Sequence, residues 1–315
     1  MEHIKKVSAT KGGESKTPPF LNTFCFEAIG TKWQIDILYE SLEKSGIAED
    51  DNLLLAIKNR IEVFDQIFSR FRPDSLVTRM SREAGSYELP EDAKLLFDLY
   101  EKFYRLTDGL MTPLIGKLLA DAGYDRQYSF QTGTLQKPDR WEEVLDYQFP
   151  TLRLKKPAHL DFGAAGKGYL IDLVAQLLNK KGIQSMCVDA GGDILQRSSQ
   201  GGSMAVALED PRDTTKAIGV ANILNQSICG SAGNRRAWGN FHHIMNPSTL
   251  HSVKEVLATW AIAETTMLAD ALTTALFLVP PSKVQEAYPE AHFLVLYPDY
   301  TIEKSKNFPG EIFTA

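Results

Sequence analysis

In FCFEAIGTKWQIDIL (residues 24–38), Phe24, Phe26 and Ala28, then Trp33, Ile35 and Ile37, alternate with other residues on either side of Gly30. A period of two broken by a glycine predicts two strands joined by a tight turn. The period then changes. Beyond an acidic stretch at 47–52, Leu54, Ile57, Ile61, Phe64, Ile67 or Phe68 and Phe71 recur every three or four residues. One apolar stripe of this kind predicts a helix of roughly five turns, closed by Pro73. After Pro90, Leu95, Leu96, Leu99, Phe103 and Leu106 supply the inward face of a second helix, which Thr107, Asp108 and Gly109 end.

Residues 123–157 are rich in Gln, Tyr, Lys and Asp with weak periodicity, and read as a surface excursion with a short strand near Leu152 and Leu154. In DFGAAGKGYLIDLVAQLLNKKG (161–182), small residues open a loop and Ile171, Val174 and Leu177 or Leu178 form a helical stripe ending at Gly182. Strands are expected at 185–189, 203–208 and 216–223, the last two separated by the turn EDPRD, while 230–233 reads as a flexible turn. The final third offers FHHIMNP (241–247), a strand near 255–263, an apolar helix around 266–279 and a last strand at 292–297. This density of hairpin signals predicts an α+β fold of mixed or antiparallel sheets with packed helices. No fixed-period repeat or linker divides residues 20–315, which are expected to form one unit or two intimately packed lobes. Residues 1–19, with Lys, Gly, Ser and Pro and little to bury, read as a disordered lead.

Composition narrows the function classes. The 315 residues are 43% apolar, enough for a sizeable core without staples. Thirty-four Lys and Arg against 40 Asp and Glu leave a net charge of -6, which removes the case for an extended nucleic-acid binder but not for a local basic pocket. Cys25, Cys187 and Cys229 lack CxxC spacing and are expected to be reduced core thiols. The first residues contain no continuous apolar run or lipid-accepting cysteine, and 267–280 is too short and polar to span a bilayer. A cytoplasmic location without a membrane anchor is the expectation.

Three clusters could carry chemistry. In DFGAAGKGY, Gly163, Ala164, Ala165, Gly166 and Gly168 keep bulk off the backbone between Asp161 and Lys167. That suits a phosphate-bearing ligand, and equally a close packing point between elements. In MLADALTTALFLV, spacings of three and four place Asp270, Thr273 and Thr274 on one helix face, suited to a hard cation such as Mg²⁺. Capping, a salt bridge or bonds to preceding carbonyls would satisfy the same side chains. In FHHIMNP, His242 and His243 point to opposite faces of an extended segment, leaving His243 to face a pocket or to be satisfied structurally. Asp193, beyond the glycine turn AGGD, and Arg70, Arg72 and Arg79 are weaker candidates. Ser231 lacks a GxSxG setting, so a serine hydrolase has little support.

Taken in order, AIGT (28–31), SRFRPDSLVTRM (69–80), TDG (107–109), DFGAAGKGYLID (161–172), VDAGGDI (188–194), HHIMNPST (242–249) and ADALTTALFL (269–278) resemble the ApbE family of FAD:protein FMN transferases. The resemblance implies a T-fold-like α+β fold with a ligand cleft between lobes, binding FAD and Mg²⁺. It implies cleavage of the FAD pyrophosphate, passage of FMN to a threonine of an acceptor protein and release of AMP; some members hydrolyse FAD instead, and a noncatalytic FAD-binding protein is the third reading. Carried over by position, the Ala164 carbonyl, Asp270, Thr274 and Thr273 would hold Mg²⁺, while Lys167, Asp161, Asp108, Phe71, Ile29 and the backbone near Ile244 would line the FAD site. Lys167 would add positive charge, and His243, Asp193 or Asp270 would take the acceptor proton. The chain departs from the family where Ile29 replaces a common Met, Thr112 an Asp, Leu114 a Thr, Asn246 an Asp and Leu250 a Gly. The family's TSG turn is replaced around CGSAG.

Overall fold

The computed structural model describes residues 20–39 and 50–313; the disordered lead expected at 1–19 lies outside them. Eight strands form an antiparallel sheet in the order Phe20–Ala28, Thr31–Tyr39, Met186–Ala190, Asp193–Arg197, Ser227–Ala232, Ala258–Ala263, His292–Leu296 and Ile302–Lys304. Nearly every residue of Ala258–Ala263 and His292–Leu296 is apolar because both faces of the sheet are buried. Ala261, Ala263, Phe293 and Val295 pack on one face with the helices, whereas Ala258, Trp260, Ile262, Leu294 and Leu296 pack on the other. That second face is covered by a three-stranded sheet of Met204–Asp210, Asp213–Ile223 and Gly310–Ile312. A sheet buried on both faces needs side chains to alternate between two cores, not between core and water.

Three helices of the first core bear on the site, Asp50–Phe68, Gly166–Lys180 and Thr266–Leu278, and Asp92–Leu106 packs in the same core. Leu53, Ile57, Ile61, Phe64 and Phe68 are the buried stripe of the first. Phe64 meets Tyr169 of the second edge-on. The second and third helices cross where the second has no side chain, at Gly168. A Cβ on Gly168 would lie 2.3 Å from the Thr266 carbonyl oxygen and 2.8 Å from Asp270 Cβ. The crossing is pinned from both sides. Asp172 accepts the Thr266 and Met267 amides at 2.9 and 2.8 Å, capping the third helix, and the Gly168 amide donates to Asp270 Oδ2 at 2.9 Å.

Several expectations are corrected. The helix after Pro90 runs Asp92–Leu106 and buries Leu96, Leu99 and Phe103 as expected, together with Ala93, Phe97 and Tyr100, but Leu95 is exposed. Leu95 lies outside the buried face, which Phe97 and Tyr100 complete. Residues 123–157 contain more than one strand: Leu145–Gln148 and Thr151–Leu154 form a sheet with Gly85–Glu88, in which Leu152 pairs with buried Tyr87 of the distant strand and Leu154 with buried Leu145. The flexible turn expected at 230–233 is instead the end of the central strand Ser227–Ala232, whose Gly230 sits against Trp260 of the paired strand. Two short strands follow the one expected to be last, and Cys25 is exposed while Cys187 and Cys229 are buried. Among the described residues no helix is long and apolar enough to cross a membrane.

The Gly168 crossing yields a test. Gly168→Ala forces the two helices apart against backbone and should lower unfolding free energy by about 1–3 kcal/mol, the usual cost of overpacking, in a denaturant titration. Unchanged stability would mean that the helices do not cross this closely.

Candidate active site

A cavity of about 820 Å³ opens beside the crossing, within the ~300–1,000 Å³ typical of cofactor sites. It gathers residues that the chain holds far apart. Ala164 comes from the loop before the second helix and Lys167 from its first turn, Asp193 and Ser231 from central strands, His243 and Ile244 from the loop after 242, and Asp270 and Thr274 from the third helix. Phe71 and Asp161 also line it. Of the eleven residues expected at the site, the structure therefore brings together eight: Phe71, Asp161, Ala164, Lys167, His243, Ile244, Asp270 and Thr274.

Three do not line the cavity. Asp108 leaves its helix in a left-handed conformation, and its exposed carboxylate pairs with Lys283 at 2.6 Å. Its neighbours Leu110, Met111 and Thr112 reach the cavity instead. Ile29 occupies the first position of a two-residue hairpin loop with φ 46° and packs against the core, while Gly30 and Thr31 face the cavity. Thr273 is fully buried; its hydroxyl donates to the Asp270 carbonyl at 2.7 Å. Its single proton being committed, the 2.9 Å contact with Ser231 Oγ must have Ser231 as donor. Ser231 thus reads as a structural partner of the third helix with lone pairs left for the cavity.

Asp270 and Thr274 remain as hard oxygen donors one turn apart. Asp270 Oδ2 takes the Gly168 amide, and among the described residues Oδ1 and the Thr274 hydroxyl make no hydrogen bond. Burial, then the nearby Asp193 carboxylate, pushes the Asp270 carboxyl up to about 8, against the pull of Lys167. A buried carboxylate in this condition gains most from a cation. Among the described residues no three His, Cys, Asp or Glu side chains cluster as a metal site. The donors present, one carboxylate with hydroxyl and carbonyl oxygens, fit a magnesium ion that keeps water and ligand phosphate in its shell.

Lys167 pairs with Asp193 Oδ2 at 2.5 Å and donates to the Ala190 carbonyl at 3.0 Å. Burial opposes its charge, but Asp193 and Asp270 outweigh this and raise its pKa. Asp193, placed by the hairpin glycines Gly191 and Gly192 and 1% exposed, is a member of the site that its turn motif alone left undecided. Asp161 is committed on both oxygens, to Arg70 on one and to the Gly163 amide at 2.7 Å on the other, so it shapes the loop that presents Ala164 and Lys167. Arg70 stacks on Phe71 and Tyr124 with its charge 4.2 and 5.0 Å from the ring centres. Arg72 turns to Glu62, Asp65 and Asp74, and Arg79 lies over Tyr87, so neither serves the cavity.

His243 reaches the cavity with Nδ1 buried and without a hydrogen bond among the described residues. Burial, then Arg236 and His242, lowers its pKa to about 3, so the ring is neutral near pH 7 and Nδ1 or Nε2 is free to accept a proton. His242 bonds the Val253 carbonyl through Nε2 at 2.8 Å and is structural. The family departures resolve into turn chemistry. Asn246 accepts the Ser248 and Thr249 amides, as a carboxylate would, Leu250 adopts φ 62° where a glycine is usual, and Thr112 caps the short helix Pro113–Ile115.

The chain is similar in sequence and fold to known proteins. The FAD:protein FMN transferase of Escherichia coli K12 is 23% identical over 282 residues, covering 82% of this chain and 79% of that protein. Its namesake from Treponema pallidum is 26% identical over 283 residues, covering 76% of each. The solved ApbE protein of Thermotoga maritima superposes with a TM-score of 0.76 at 24% identity, over 93% of this chain and all of that one. The flavin transferase ApbE of Vibrio cholerae gives 0.75 at 18% identity, over 91% and 97%. With residues 29–293 also matching the ApbE family profile, the chain belongs to the ApbE family.

Proposed function

We propose that this protein is a magnesium-dependent FAD:protein FMN transferase, with residues 20–315 acting as one unit and the cavity as its FAD cleft. The observation that carries the reading is the pair of uncommitted oxygens on Asp270 and Thr274 facing a cavity of dinucleotide size beside Lys167. Asp270, Thr274 and the Ala164 carbonyl would hold magnesium, which would supply charge neutralisation to the phosphates. Lys167, kept cationic by Asp193, adds a fixed positive charge where the anhydride opens. The acceptor threonine oxygen bonds to the FMN phosphorus, the bond from that phosphorus to the bridging oxygen breaks, and AMP leaves with the electron pair. His243 takes the threonine proton on a ring nitrogen. An incoming dianionic pyrophosphate raises its depressed pKa toward the ordinary range, which improves it as a base.

Incubation with FAD and Mg²⁺, with and without a threonine-bearing acceptor protein, separates the readings. Transfer gives AMP and an acceptor heavier by FMN, hydrolysis gives AMP and free FMN, and absence of AMP throughout would overturn both. Asp270→Ala should abolish most turnover. His243→Ala should slow transfer by about 10²–10⁴-fold while changing FAD affinity little; equal rates at saturation would remove it as the base.

The Asp270 shift fixes a pH dependence. Its carboxyl must ionise to bind a cation, so Mg²⁺ affinity measured calorimetrically with FAD should weaken as pH falls below about 8, by up to about tenfold per unit. The metal-free protein should behave oppositely: with the folded pKa above the unfolded one, its stability falls as pH rises from about 4 to about 8. Equal Mg²⁺ affinity at pH 6 and 8 would reject the assignment.

A further inference from the structure

The charges lining the cavity can be paired off one by one. Lys167 pairs with Asp193 at 2.5 Å, Arg235 with Glu209 at 3.0 Å and Lys216 with Asp213 at 2.9 Å, while Asp161 pairs with Arg70. Two ionic groups are left: Asp270 and Arg236. Asp270 is the proposed cation ligand. Among the described residues the Arg236 guanidinium has no carboxylate and no hydrogen bond, although it lines the same cavity as Lys167 and His243.

The backbone of Arg236 is held as firmly as its side chain is free. Its carbonyl accepts the His243 amide at 3.2 Å, and the next two residues, Ala237–Trp238, pair with Phe241–His242. Trp238 is buried and donates its indole N–H to the Ala122 carbonyl at 2.7 Å. Arg236 therefore projects from an anchored hairpin, linked by a backbone bond to the histidine that would take the acceptor proton. Its charge also contributes, after burial, to holding His243 below its ordinary range. A planar guanidinium with five donors, anchored at its base and without an internal acceptor, matches two phosphate oxygens in a bidentate contact.

We propose that Arg236 is a substrate-binding residue for the pyrophosphate of the dinucleotide, the anionic counterpart of the cation site at Asp270. The proposal rests on the FAD reading for the identity of the anion. It extends it by assigning the phosphate contact to the residue whose charge the protein itself leaves unbalanced, with Lys167 already held by Asp193.

The test uses binding in EDTA, so that neither metal nor turnover enters. Affinities for FAD, ADP and riboflavin are measured by fluorescence and calorimetry for the wild type, Arg236→Ala, Arg236→Lys and, as a control, Arg235→Ala. Arg236→Ala should weaken FAD and ADP by about 10- to 100-fold, as expected for loss of a charged hydrogen bond, and leave riboflavin within about twofold. Arg236→Lys should recover only part, because an ammonium lacks the fork, and Arg235→Ala should lose less than Arg236→Ala. Unchanged FAD and ADP affinity in Arg236→Ala would overturn the assignment, as would an equal loss for riboflavin, which signals a disturbed cavity. If the wild type binds ADP through Arg236 but releases no AMP from FAD, the transferase reading falls and the anion site stands. If AMP is released and Arg236→Ala binds normally, only the Arg236 assignment falls.

Discussion

The contact between the helices Gly166–Lys180 and Thr266–Leu278 governs the rest of the site, because it brings two segments about a hundred residues apart within backbone distance. Only a residue without a side chain can stand at position 168. The Thr266 carbonyl and the Asp270 side chain occupy the space a Cβ would need. Once the helices meet there, the Gly168 amide has a carboxylate as its partner and Asp172 has two amides to cap. The same crossing buries Asp270, which raises its pKa. Packing and chemistry are in this sense one constraint, since the loop before the crossing delivers Ala164, and the helix's first turn Lys167, to the same cavity.

The cavity is nearly neutral although the chain carries a net charge of -6. Each paired charge lowers the field that an incoming anion meets, and the two groups left unpaired differ in sign. A carboxylate without a cation and a guanidinium without an anion form an arrangement that a metal-bound pyrophosphate would complete, each end compensating what the protein leaves open. Binding would then owe little to long-range attraction. It would depend on local charges in a partly enclosed space, where Coulomb interactions are stronger than in bulk water.

The departures from the family pattern fall mostly on turns. Asn246 keeps the acceptor geometry of a carboxylate, and Thr112 begins a short helix beside the cavity. Ile29 and Leu250 hold left-handed backbone conformations that side chains adopt at a cost, Ile29 beside two cavity residues and Leu250 closing the turn that Asn246 opens. None of these exchanges removes a group that holds the proposed cation or the charge of Lys167.

How much could be read from the chain depended on the range of the interaction concerned. Period-two and period-3.6 patterns located the N-terminal hairpin and the three core helices, because apolar periodicity is a local record of which face is buried. Collinear motifs likewise named eight of the residues that meet in the cavity. The pattern misplaced Leu95 and treated 230–233 as a turn, since aromatic packing and strand pairing are settled by distant partners. It could not separate Thr273 from Thr274, which share a helix face; only the position of Ser231 on a neighbouring strand turns one hydroxyl inward and leaves the other to the cavity. Ile29 stands one position, and Asp108 two, from a residue that lines the site, because a motif fixes a neighbourhood while backbone direction decides which side chain enters it. Sequence alone therefore determined which segments assemble and what chemistry they bring. The tertiary structure decided which charges neutralise one another, because pairing is a property of distance across the fold and not of order along the chain.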